Sequence, residues 1–379
     1  MNLQLTSEQQ MLRESAVRWV AERGRPAHAG EAQPPAGERW REMADMGWLA
    51  MTLPERDGGL GQGIAETCVL AEALGAGPVV EPFLPAAVMA GGLLADGGSD
   101  EQRGRWLGAL AAGEAVVVPA TIERGTGHEL SRTATRATRD GGGWLLEGDK
   151  SMVPSGQAAQ AWIVSARTGE GQIAFFLVER GAAGAAARDF PSVDGAGACS
   201  LSLRGVRVDD SARLPGASLE TFQRVFDHAL VAACAESVGA MDTLVKATVD
   251  YTKQRIQFGR PLAANQVLRH RMTDMSVHAE EARSITLGAV LALQDAERTG
   301  DAHSRVRAAA AARAKVGLGA RRVAEEAVQL HGGMGVTDEL TIGVYLRRQM
   351  ALDAMFGPAE WHLRRHAQMR RPLAAGTEN

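Results

Sequence analysis

The sequence predicts an α+β fold in three consecutive parts: an N-terminal helical domain over 1–115, a central antiparallel β domain over 116–215 and a C-terminal helical domain over 216–379. Two observations predict it. Apolar residues recur at helical spacing toward both ends, whereas short apolar or alternating runs, separated by Gly, Asp and Ser, fill the middle. A chain of 379 residues is long enough to build several cores.

The elements follow in order. Thr6 or Ser7, with Glu8, Gln9 and Gln10 after it, marks a helix start, and Met11, Leu12, Ala16 and Trp19 continue at helical spacing. Gly24, Pro26, Pro34 and Pro35 break that pattern. A second helix over GERWREMADMGW ends at Gly47, LPERDGGLG punctuates the chain, and IAETCVLAEALG resumes a helix. AVVVPAT, GGWLLEG, AWIVSART, QIAFFLVE and SLSLRGVRV then read as strands. Beyond 216 the chain returns to long helices. RVRAAAAARAKVGLGARRVAEEAVQL is the plainest, since Ala is the best helix former, although Gly317 and Gly319 weaken its middle.

Composition narrows the function. Hydrophobic residues make up 45%, charged residues 23%, and the formal net charge is −4. Nothing favours nucleic acid, and no basic stripe with interleaved aromatics occurs. Cys68, Cys199 and Cys234 are far apart and odd in number, which argues against a disulfide framework or a zinc site and for a reducing compartment. No H-E-x-x-H pattern suggests a metal. No basic region followed by an apolar run opens the sequence, and no apolar run reaches the roughly 18 residues of a membrane span, so a cytoplasmic protein is expected.

Two segments carry chemistry. In YTKQRIQFGRPL, Tyr251–Leu262, one helix ends, Phe258–Gly259 turn the chain and Pro261 delays the next helix. Such a turn exposes backbone N–H groups, and Arg255 adds a fixed positive fork suited to a diphosphate. The same pattern also describes a plain helix–helix corner with a solvated arginine. In QLHGGMG, Gln329–Gly335, Gly332 and Gly333 permit close approach of backbone to a ligand, or simply end a helix. It is no Rossmann fingerprint, because no strand precedes it.

These two segments, in this order, resemble the acyl-CoA dehydrogenase family. Its R-x-x-F-G-x-x-L-x-x-x-Q pattern is matched by Arg255, Phe258, Gly259, Leu262 and Gln266, and its Q-x-x-G-G-x-G by Gln329, Gly332, Gly333 and Gly335. The resemblance continues through WREMADMGWLAMTLPERDGGLG, LAEALGAGPVVEP, GSDEQRGRWLGALAAGE and LRGVRVDDSARLPG, nearly the whole length. It implies that the C-terminal part is a four-helix bundle, that FAD is bound, and that the FAD site is shared between subunits. Arg255, Gln257, Phe258, Leu262 and Gln266 would then hold the adenosine diphosphate of a neighbour's FAD, with Gln329, Gly332 and Gly333 meeting the pyrophosphate. It further implies α,β-dehydrogenation of an acyl-CoA, with electrons passed to an electron-transfer flavoprotein or similar acceptor. No nucleic-acid or membrane partner is implied.

The family reaction needs a carboxylate base for the α-proton, a flavin to accept the β-hydride and hydrogen bonds to the thioester carbonyl. Many members carry the base as Glu in Y-E-G-T; the matching stretch here is MFGPAEWHLRR, with Phe356 at that position and Glu360 four residues on. Other members supply the base from the first bundle helix, which places Asp227 of RVFDHALVAACAESVGAM in that role, one methylene shorter than Glu. Asp227 is equally readable as a helix-start residue favouring the N-terminal dipole. In the β domain, VPATIERGTGHELS keeps Thr121 and Glu123 of T-E-P-x-A-G-S-D. KSMVPSG puts Met152 where a flavin-packing Trp is common and Pro154 where a Thr lies near N5. Thr121, and Val153, Ser155 and Gly156 through backbone groups, remain candidates to approach the flavin. Two readings follow: a homo-oligomeric dehydrogenase with Asp227 as base, or a non-catalytic subunit of a heteromer that completes the FAD site of a second acyl-CoA dehydrogenase-like chain. An oxidase would differ only in admitting oxygen to the flavin.

Overall fold

The computed structural model describes residues 4–24, 37–77, 79–169, 171–337 and 339–369. The breaks expected at Pro26, Pro34 and Pro35 lie outside them. Two compact units emerge, one of Met1–Val17, Cys68–Gly77 and Leu230–Asn379, the other of Arg18–Thr67 and Pro78–Ala229.

In the second unit, α2 (Glu38–Asp45) ends as expected before Gly47, which turns at φ 74°. A wholly buried π-helical turn, Phe83–Ala90, leads into α4 (Gly91–Gly97) and α5 (Asp100–Ala111). Ser99 caps α5 in a reciprocal box with Gln102. The Gln102 amide then donates to the Ser211 carbonyl at 2.7 Å, pinning α5 to the chain leaving the sheet.

The sheet comprises β1 (Val117–Ala120), β2 (Arg136–Asp140), β3 (Gly143–Pro154), β4 (Ala161–Thr168), β5 (Ile173–Glu179), β6 (Ala185–Phe190) and β7 (Ala198–Asp209). Its order is β1-β4-β2-β3-β7-β6, with β5 also pairing β4. The expected all-antiparallel pattern is corrected along one edge of β4, where β1 and β2 both run parallel to it. Long connections separate these partners in sequence, so a hairpin does not dictate their direction. β4 and β5 are nearly continuous apolar runs, AWIVSA and AFFLV, because both faces are buried. Trp162, Phe175 and Phe176 fill the core there.

The helical unit holds the end of α6 (Leu219–Gln254), then α7 (Gln266–Thr299), α8 (Ala302–His331), α9 (Ile342–Phe356) and α10 (Ala359–Gln368). A further short helix, α10, packs on α8. Thr6 caps α1 (Ser7–Arg23) by accepting from the Gln9 amide at 3.2 Å. α7 and α8 run antiparallel, since Arg271 meets Glu326 while Glu281 meets Lys315. Gly317 and Gly319 do not break α8: each faces a neighbouring helix, Gly319 against Met241 and His278, Gly317 against Asp353 and Ala359. α3 (Ile64–Gly75) crosses α6 through a glycine pair, with a Cβ on Gly75 or Gly239 falling 1.9 Å from the carbonyl oxygen of Glu236 or Glu72. Charges inside this unit are paired, Arg348 with Glu236 at 2.6 Å and the fully buried Arg313 with Asp353 at 2.7 Å. Among the described residues no helix is long and apolar enough to cross a membrane.

Candidate functional site

The corner after α6 is a miniature hairpin. Ile256–Gln257 pairs with Arg260–Pro261, and the two residues between, Phe258 and Gly259, have φ of 52° and 75°. Two positive φ values in a two-residue loop make a type I′ turn, a natural place for Gly and a strained one for Phe. The Leu262 amide closes the corner on the Arg255 carbonyl at 2.9 Å, and Arg260 bonds the Asn265 side chain at 2.7 Å just before α7 begins with Gln266. Arg255, Gln257 and Gln266 are exposed, and the Phe258 ring is 99% exposed. A strained aromatic held wholly in water points to a binding surface.

The second segment lies at the same end of the helical unit. α8 ends at His331, and Gly332 turns away at φ 61°. The Tyr251 ring stacks on the His331 ring at 4.3 Å between centroids, and its hydroxyl donates to the His331 carbonyl at 3.3 Å. Tyr251 sits one turn before Arg255, whose amide bonds the Tyr251 carbonyl at 2.8 Å. From the other side, Arg271, near the start of α7, bonds Glu326 at 2.6 Å. The Arg255 corner and the Gln329–Gly333 turn are thus brought together. Gln329, Gly332 and Gly333 are exposed, and open space surrounds the two glycines where side chains would project. The family resemblance, not the residues alone, implied that the two segments face one ligand; the roles of Tyr251 and His331 in joining them gave no separate signal.

The β-domain candidates sit in a tight strand environment. Thr121 is half-buried just after β1, and Ile122 bridges to Met152. Val153 is fully buried, paired with Cys199, and its carbonyl accepts from the Gly156 amide. Ser155 adopts φ 55°, and its own amide is committed to the Gly197 carbonyl at 3.0 Å. Beside them lies a buried ion pair that the sequence did not advertise. Lys150 donates to Glu123 at 2.6 Å and to the Ser165 carbonyl at 2.7 Å, while Glu123 also accepts from the Ala134 and Thr135 amides and the Thr135 hydroxyl. Burial pushes the Lys150 ammonium down to about 8, with the Glu123 charge pulling the other way. Burial also pushes the Glu123 carboxyl up, but the Lys150 charge and the hydrogen bonds outweigh it and leave it below the usual range.

Asp227 is fully buried, eight residues past the first residue of α6, so the helix-start reading is set aside: the N-terminal dipole fades within the first turn. The Gln223 amide, one turn earlier, donates to its carboxylate at 3.1 Å. Arg224 pairs with Asp96 at 2.5 Å. Phe356 is the last residue of α9 and fully buried, and its carbonyl accepts from the His362 ring at 2.8 Å. Glu360 is exposed in the first turn of α10. Among the described residues no group of three or more His, Cys, Asp or Glu is set to hold a metal.

Three family models match in register with these parts: the acyl-CoA dehydrogenase N-terminal domain over residues 6–114, the middle domain over 120–206 and the C-terminal domain over 219–369. The chain belongs to the acyl-CoA dehydrogenase family. It is 28% identical over 354 residues to acyl-CoA dehydrogenase FadE12 of Mycobacterium tuberculosis, covering 90% of each chain. Among solved structures it is similar to the ChsE4–ChsE5 complex from Mycobacterium tuberculosis, with TM-score 0.87, 26% identity and coverage of 97% of this chain and 98% of that one. A variant of the Tcur3481–Tcur3483 steroid ACAD follows with TM-score 0.83, 28% identity and coverage of 96% and 97%. Acyl-CoA dehydrogenases are FAD-dependent oxidoreductases acting on CH–CH bonds, and they assemble as homo- or hetero-oligomers.

Proposed function

We propose that this chain takes part in the FAD-dependent conversion of an acyl-CoA thioester to its trans-2-enoyl-CoA, in an oligomer whose flavin sites are shared between protomers. One observation carries the reading: Arg255, Phe258 and Gln329–Gly333 meet at one exposed end of the helical unit. Their chemistry fits a dinucleotide. The Arg255 guanidinium offers a fork to the diphosphate, the Phe258 ring offers an apolar face to the adenosine, and the two glycines leave the backbone open to a phosphate. FAD, when bound, supplies the hydride acceptor. Asp227 takes the α-proton, held in orientation by the Gln223 amide. Electrons leave to an electron-transfer flavoprotein or similar acceptor.

A second reading rests on Phe356, which cannot accept a proton at the position where many members carry Glu. In it, this chain completes the FAD site of a second acyl-CoA dehydrogenase-like subunit without catalysing. The names of two similar structures, the ChsE4–ChsE5 complex and Tcur3481–Tcur3483, pair two chains and support considering it.

The visible spectrum of the chain purified alone separates the two. One flavin per chain, bleached by acyl-CoA in the native protein and unbleached but retained in Asp227→Asn, supports the first. A colourless chain that gains flavin on mixing with a second subunit supports the second. Unchanged turnover in Asp227→Asn removes Asp227 from the mechanism.

A further inference from the structure

We infer that Tyr251 and His331 form a stacked latch that sets the span between the Arg255 guanidinium and the Gln329–Gly333 backbone, which makes both positioning residues for the diphosphate of FAD. The inference rests on the FAD reading above and deepens it. The two ligand segments belong to different helices, and their key residues lie some way apart in sequence, so local geometry does not fix their separation. The latch does. Its rings are 4.3 Å apart and inclined by 26°, and the Tyr251 hydroxyl reaches the His331 carbonyl at 3.3 Å.

Each half of the latch is tied closely to the ligand residue it serves. The Arg255 amide bonds the Tyr251 carbonyl, so Arg255 is one helical turn away. His331 immediately precedes Gly332, and Gln329 is two residues before it. The His331 ring cannot swing, because its Nδ1–H donates to the Ala327 carbonyl at 2.8 Å. His331 is also buried, with only 5% of its surface exposed. Burial pushes the imidazole below its ordinary range, so at neutral pH the ring is uncharged. Its contribution to an anionic ligand is therefore geometric, not a charge on the phosphate.

A latch for the diphosphate predicts a selective defect. The flavin-stripped oligomer is titrated with FAD and, separately, with FMN, which lacks the adenylate half and ends in a monophosphate. Tyr251→Leu should weaken FAD by about three- to ten-fold, the range expected for loss of one aromatic pair, and leave FMN unchanged. Tyr251→Phe, which keeps the stack, should bind FAD nearly as the native protein does. At the other ring, His331→Leu should repeat the FAD loss and His331→Phe should restore it, which covers the case of one variant failing to fold. Equal weakening of FAD and FMN, or no weakening of either, overturns the latch. Arg255→Met serves as the control. If it weakens FAD while Tyr251→Leu does not, the latch alone fails; if Arg255→Met leaves FAD affinity unchanged, the FAD reading of this corner fails and the latch with it.

Discussion

Glu123 and Lys150 illustrate what single residues contribute to the β domain. The pair is almost completely enclosed, with 4% and 0% of the side chains accessible, and each charge has several hydrogen bonds. Removing one partner of such a pair leaves the other desolvated and uncompensated, so Glu123→Gln should cost about 3–5 kcal/mol at pH 7. The sign with pH follows from the carboxyl lying below its ordinary range in the fold. As pH falls, the unfolded chain takes up this proton first. The stability tied to the carboxylate is present above the ordinary glutamate range and is lost as pH falls through the folded value. Urea midpoints of native protein and Glu123→Gln should therefore converge on acidification. A gap that stays constant from pH 7 to pH 3 would show that the carboxylate charge is not what stabilises the sheet. Glu123 and Lys150 each stood in a segment singled out in the sequence, VPATIERGTGHELS and KSMVPSG, but their pairing was not legible: they lie 27 positions apart, and nothing in either segment says that the two meet inside the sheet.

Among the elements, legibility followed apolar pattern. β4 and β5 were readable because both faces are buried and the runs are apolar. β2 and β6, RATRD and AAARDF, were missed because their side chains are mostly charged or Ala and largely exposed, so only backbone pairing with β3 and β7 defines them. Gly317 and Gly319 looked like weak points of α8 and proved to be packing positions. The glycine crossing of α3 and α6 offers a sharper test. As a helix-interior glycine in isolation, Gly239 replaced by Ala would gain up to about 1 kcal/mol of helix propensity. The Glu72 carbonyl oxygen 1.9 Å from the new Cβ forbids that gain. Gly239→Ala should instead destabilise by about 1–3 kcal/mol, the usual cost of overpacking, as read from a denaturation midpoint. A variant more stable than the native protein would mean that the two helices separate at no cost.

At the scale of the whole molecule, the α, β, α order was written in the sequence because each stretch carries its own hydrophobic period. The grouping into compact units was not. Met1–Val17 and Cys68–Gly77 cluster with Leu230–Asn379, a set of associations across sequence distance that no local pattern encodes. The candidate site divides in the same way. Arg255 and Gln329 could be named from motifs, whereas the Tyr251–His331 contact that brings them together arises only when two helices end side by side.

The Phe258 turn has one more consequence. A bulky aromatic at a solvent-facing loop tip is a natural substrate for chymotrypsin, whose specificity pocket is a hydrophobic slot. Dissociated chains should be nicked after this residue, and chains whose corner is capped by another subunit and its nucleotide should resist. Digestion at falling protein concentration, followed by mass analysis of the fragments, would then report assembly directly, and equal cutting of the concentrated, flavin-loaded sample would mean that nothing covers the ring.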